Sequence, residues 1–218
     1  MKAEDHKLLA SWLIQNAGDP ALEEYAREFR WGCVAPDYNY LTYLHGSLRC
    51  RNINGHHAIN RMSFVIRQTE KLENTVAHNR LSFFRIGVLI HYLADCFTLA
   101  HNECFPKKFK EHMEYEEELH TEICKALADG SVPTAGFTVK QASDIFRIHL
   151  NYCRAEQGTQ NDIKNISSIC LSVVRLLCRA AAANELQLRR EALPQLQSEV
   201  LTQLQSEGLI RVPNLGGK

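Results

Sequence analysis

The chain has 218 residues, 45% of them hydrophobic, which is enough to bury a substantial core in one domain. Its 25 Lys and Arg balance its 25 Asp and Glu, so no overall field marks it as a binder of nucleic acid or of anionic membrane. The eight cysteines contain no CxxC pair, which excludes the usual thiolate zinc knuckle and the dithiol redox motif and leaves them as small core hydrophobes of a reducing compartment.

In chain order, the opening "MKAEDHKLLASWLIQ" has no long apolar run and no small-residue cleavage site, so a cytoplasmic protein is expected. No apolar run reads as long enough to span a bilayer. Asp5 is the expected N-cap of a first helix carrying Leu8, Leu9, Trp12 and Leu13 and ending near Gly18; Asp19 and Pro20 open the next at N-cap and N1. Residues 31–57, with three glycines, a proline and several asparagines, read as one long functional loop. Helical periodicity resumes over 57–77, 80–100 and 106–128, breaks at "DGSVPTAG", and continues over 138–156 and 162–184. A separate amphipathic helix is expected over 188–206, too rich in Gln and Glu for a membrane anchor. The expected fold is all-α, a single compact multi-helix domain over 1–218 with a frayed tail at 211–218.

Against that apolar background the stretch "HYLADCFTLAHNECF" is out of place. His91 and Asp95 stand one helical turn apart on one face, where an imidazole and a carboxylate can hold one cation. On a continuing helix His101 is rotated by roughly 80 degrees from His91 and suits a neighbouring ion. His112 and Glu116 repeat the i, i+4 pair in the next helix. Asp95 is flanked by Tyr92, Leu93, Ala94 and Phe97, and an unpaired carboxylate buried there is expensive. Neutral imidazoles and carboxylates without thiolates are a zinc ligand set. His78, His120 and His149 read as ordinary core or surface histidines, and Glu114, Glu116, Glu117 and Glu118 read equally well as a solvated acidic face.

The pattern HxxxDxxxxxH at 91, 95 and 101, followed by HxxYE at 112–116, resembles the bacterial zinc-dependent phospholipase C family and the related fungal single-strand nucleases. The "APD" at 35–37 and "GHHAIN" at 55–60 resemble the same family's aspartate and histidine between its first helices. The resemblance implies an all-helical fold with two or three zinc ions: one on Asp37, His56, His91 and Asp95; a second on His101, His112 and Glu116; a third on His6 with Asp95 bridging. His56 is preferred on the pattern GHxxxN, with His57 and His45 as alternatives. Secreted members give the third zinc the amine and carbonyl of an N-terminal tryptophan, whereas residue 1 here is Met.

Clustered divalent ions polarise a phosphoryl group and lower the pKa of a bound water to about 7, so the implied activity is hydrolysis of a phosphodiester. Asp37 is the candidate general base. The substrate class is a phospholipid or a related phosphodiester; nucleic acid is open but not favoured, and a non-catalytic zinc-binding helical protein is the alternative of another class. Trp31, Tyr38, Tyr40 and Tyr43 either flank a pocket or pack the long loop on the core. The sequence has no GxSxG elbow, Walker A loop or Rossmann glycine pattern.

Overall fold

The computed structural model describes residues 1–38, 58–103, 105, 109–132 and 137–207. Among them every regular element is helical: α1 (Ala3–Ala17), α2 (Pro20–Glu24), α3 (Ala26–Tyr38), α4 (Ala58–Thr75), α5 (Arg80–Cys96), a 3-10 turn (Leu99–His101), α6 (Phe109–Ala128), α7 (Ser143–Arg154) and α8 (Thr159–Ser206). The all-α expectation is borne out.

The helix starts follow local chemistry. Asp19 accepts from the Ala21 and Leu22 backbone N–H groups with Pro20 at the first position, as expected. The cap of α1 falls one turn earlier than the sequence suggests: Lys2 is the N-cap, and the Asp5 carboxylate reaches back from N3 to accept the Lys2 N–H at 3.1 Å. Gly18, at φ 70°, closes the helix in the left-handed conformation that suits glycine.

Two expected boundaries are corrected. Residues 31–38, read as the start of a long loop, complete α3, and only 39–57 remain of that segment. His45, His56, His57, Tyr40 and Tyr43 lie outside the described residues. The second correction joins the last two expected helices into α8, unbroken over 48 residues. Asn184 donates to the Glu73 and Val76 carbonyls and Glu185 pairs with His78 at 2.7 Å, so the polar residues that read as a break are ties to the α4–α5 connection. Beyond them residues 186–203 are all exposed. The expected tail at 211–218 lies outside the described residues.

One contiguous apolar cluster draws on every helix, including Leu13, Leu22, Phe29, Val65, Ile86, Leu93, Leu119, Ile145 and Val174. α5 lies at its centre, packed on α3, α4 and α8. The expectation that no segment is long and apolar enough to cross a membrane needs correction: Thr159–Leu204 passes by length and composition. Of the most apolar 18-residue window in that helix 67% is buried inside the fold, as in the core helix of a globular body. Cys33, Cys96, Cys170 and Cys178 are buried and free, and burial pushes the Cys178 thiol up to about 12, so these behave as the expected inert hydrophobes. Cys50 and Cys104 lie outside the described residues.

The contact between α3 and α5 is backbone on backbone. A Cβ on Gly32 would stand 2.1 Å from the Phe84 carbonyl oxygen, and one on Gly87 would stand 2.3 Å from the Phe29 oxygen and 2.8 Å from the Cys33 nitrogen. None of these atoms belongs to a side chain that can turn away. Gly87→Ala is therefore expected to destabilise the fold by about 1–3 kcal/mol in urea unfolding. Gly18→Ala, with open space around its Cβ and only the φ of 70° against it, should cost about 1 kcal/mol. Equal and small effects would contradict the close-packing account.

Candidate metal centre

α5 carries His91 and Asp95 on its last turns, both buried. Asp95 is the meeting point of the site. Its Oδ2 lies 3.4 Å from His91 Nε2, and its Oδ1 lies 3.3 Å from His6 Nε2 and 3.9 Å from His101 Nε2. On one side the network continues from His91 Nε2 to Asp37 Oδ1 at 3.7 Å. On the other, Glu116 Oε1 stands 3.3 Å from His101 Nε2 and 3.4 Å from His112 Nε2. Seven of the eight residues singled out from the sequence thus form one connected cluster; the eighth, His56, lies outside the described residues. The cluster resolves into two groups with ligand atoms close enough to share an ion: His6, His91 and Asp95, all buried, and His101, His112 and Glu116, half-buried. His6 is drawn to His91, with the rings stacked at 3.9 Å, so it belongs to the inner group.

His101 does not extend α5. That helix ends at Cys96, where the Asn102 amide donates to the Cys96 and Thr98 carbonyls, and His101 closes the 3-10 turn that follows. The turn sends His101 across to α6, where it meets His112 edge to face at 5.3 Å.

The distances discriminate between hydrogen bonding and shared coordination. An N–H···O bond prefers about 2.7–3.2 Å. Two ligand atoms each about 2.1 Å from a tetrahedral ion stand about 3.4 Å apart. The four nitrogen–oxygen separations of 3.3–3.4 Å match the second geometry. Tautomer chemistry agrees. His91 Nδ1 lies 2.9 Å from the Cys33 carbonyl, which can only accept, so Nδ1 carries the proton and Nε2 turns towards the carboxylates of Asp95 and Asp37. A metal ion at the observed spacing would supply the positive charge that balances these carboxylates. Among the described residues neither ring nitrogen of the buried His6 has a hydrogen-bond partner, an arrangement that fits a ligand.

Burial and the Met1 amine set the electrostatics of the outer group. Burial, helped by the Met1 ammonium, lowers His101 to about 4, so its imidazole is neutral at physiological pH. Burial opposes ionisation of Glu116, but its close contacts with His101 and His112 and the nearby ammonium hold its carboxyl well below the usual range. The Met1 amine itself lies 2.8 Å from His101 Nε2, 3.0 Å from Glu116 Oε1 and 3.3 Å from Asp95 Oδ1. Burial would lower its pKa, and Asp95 and Glu116 outweigh that and raise it.

The histidines set aside in the sequence have structural partners. His149 bonds the Cys96 carbonyl and Asn102, and His78 pairs with Glu185. His120 bonds Asp5 at 2.6 Å across 115 positions of sequence, a link that no local spacing announces. Asp162, buried and bonded to the Leu99 backbone across 63 positions of sequence, was also missed.

A helical body holding a buried histidine–carboxylate metal centre is the class that fold and site define. The family model of zinc dependent phospholipase C matches residues 5–171, and the chain belongs to that family. Comparison with the curated proteins and with the solved structures finds no match.

Protein purified without chelator is expected to carry about two to three zinc ions per chain by mass spectrometry, and Asp95→Ala to lose most of them, because that carboxylate meets both groups. Zinc at background in the wild type would contradict the metal reading.

Proposed function

We propose that the chain hydrolyses a phosphodiester at this centre, with a phospholipid or a related diester as substrate. The observation that supports it most is the outer group: among the described residues His101, His112 and Glu116 offer three side-chain ligands, and catalytic zinc sites keep a position for water where structural ones are closed by four. The family match supports the same chemistry at the level of a zinc-dependent phosphoesterase.

Zinc bound there would polarise a phosphoryl oxygen and make hydroxide available near neutral pH. The chain's own residues prepare the rest. The Cys33 carbonyl fixes the His91 ring so that Nε2 points at the site. Asp95, 3.4 Å from His91 Nε2 and 3.9 Å from His101 Nε2, is in this reading the carboxylate shared by the inner and outer groups. Asp37, near the end of α3 and 3.7 Å from His91 Nε2, is in this reading the base that takes a proton from an attacking water.

The discriminating assay uses phosphatidylcholine, bis-p-nitrophenyl phosphate and single-stranded DNA with the zinc-loaded protein. Turnover of phosphatidylcholine supports the proposal; turnover of DNA alone indicates a nuclease, and silence on all three a binding protein. Asp37→Asn is expected to keep most of the zinc and lose about 100-fold or more in kcat. Retained turnover would remove Asp37 as the base.

A further inference from the structure

Asp162 is fully buried in the first turn of α8 and none of its oxygens is spent within that helix. Its Oδ2 accepts the Leu99 backbone N–H at 2.8 Å and the Tyr115 hydroxyl at 2.8 Å, and its Oδ1 accepts the Tyr152 hydroxyl at 2.7 Å. One carboxylate therefore ties α8 to the 3-10 turn, to α6 and to α7. Two of the three ties end beside the outer metal group: Leu99 opens the turn that closes on His101, and Tyr115 immediately precedes Glu116. Burying an ionisable group is a costly way to hold helices together, since apolar residues of similar volume serve stability as well or better. A carboxylate is justified where one acceptor must fix several donors in register, and Asn could not accept at both oxygens.

We infer that Asp162 is a positioning residue that sets His101 and Glu116 at the spacing of a shared ion. The inference rests on the proposed zinc centre. Asp162 touches no ligand; it acts through the Leu99 backbone and the Tyr115 ring. The Tyr152 tie runs instead to α7, away from the metal group, which gives the arrangement its own internal control.

The test is zinc stoichiometry and affinity, by dialysis against a competing chelator, for the wild type, Asp162→Asn, Tyr115→Phe, Tyr152→Phe and His112→Ala, with thermal unfolding recorded for each. Asp162→Asn is expected to release one zinc per chain, or to weaken it about 10-fold or more, while the inner zinc stays; His112→Ala should release the same ion, and a variant combining Asp162→Asn with His112→Ala should lose no more. Tyr115→Phe should show the same loss in smaller degree, and serves if Asp162→Asn does not fold. Tyr152→Phe should lower the unfolding temperature without releasing zinc. Full zinc at wild-type affinity in Asp162→Asn and Tyr115→Phe overturns the inference, as does equal zinc loss in Tyr152→Phe, which would mark general loosening. A wild type that binds no zinc overturns the metal reading itself, and the inference with it.

Discussion

The side-by-side contact of Gly32 and Gly87 governs the rest of the molecule. With no side chains between them, α3 and α5 approach until backbone meets backbone, and Phe29, Cys33, Phe84 and Gly87 fix each other's positions. Cys33 is thereby close enough for its carbonyl to accept a hydrogen bond from His91 Nδ1 at 2.9 Å. One turn further, the same approach delivers Asp37 to His91. A methyl group at either glycine would open this distance, and the inner group would lose both the orientation of its imidazole and its second carboxylate. Packing density and ligand geometry are here one constraint.

Asp95 is the electrostatic counterpart of that contact. Its carboxylate is buried among apolar side chains of α5 and is compensated from three directions: His91 on its own helix, His6 from α1, and the Met1 ammonium with His101 from the outer side. Charge is thus concentrated where solvent is excluded, which strengthens every interaction there. Exposure rises outward from His91 and Asp95 through Glu116 to His112, so the buried end is the anchored one and the open end faces reagents.

The parts of this arrangement visible in the sequence are those set by helical period. His91 with Asp95 and His112 with Glu116 are i, i+4 pairs, and any helix puts such pairs on one face. What the sequence concealed depends on tertiary context. Gly32 and Pro36 carry the composition of a loop, yet Gly32 is there for the close approach and Pro36 falls in the last turn of a helix already formed. Asn184 and Glu185 look like a break because their partners, Glu73, Val76 and His78, are more than a hundred positions away. His101 was expected on the helix face because nothing local marks Phe97 as the end; the stop comes from the Asn102 amide folding back on Cys96 and Thr98. Asp162 gave no signal, since its three donors come from three other elements.

The central claim is that these side chains are spaced by a shared ion and not by hydrogen bonds. Anomalous diffraction at the zinc edge from zinc-loaded crystals addresses it directly. The account predicts one peak about 2.0–2.2 Å from His91 Nε2 and an Asp95 oxygen, and another at the same distance from His101, His112 and Glu116. Zinc confined to surface sites, with His91 Nε2 and Asp95 closing to an ordinary hydrogen bond of about 2.8 Å, would contradict it.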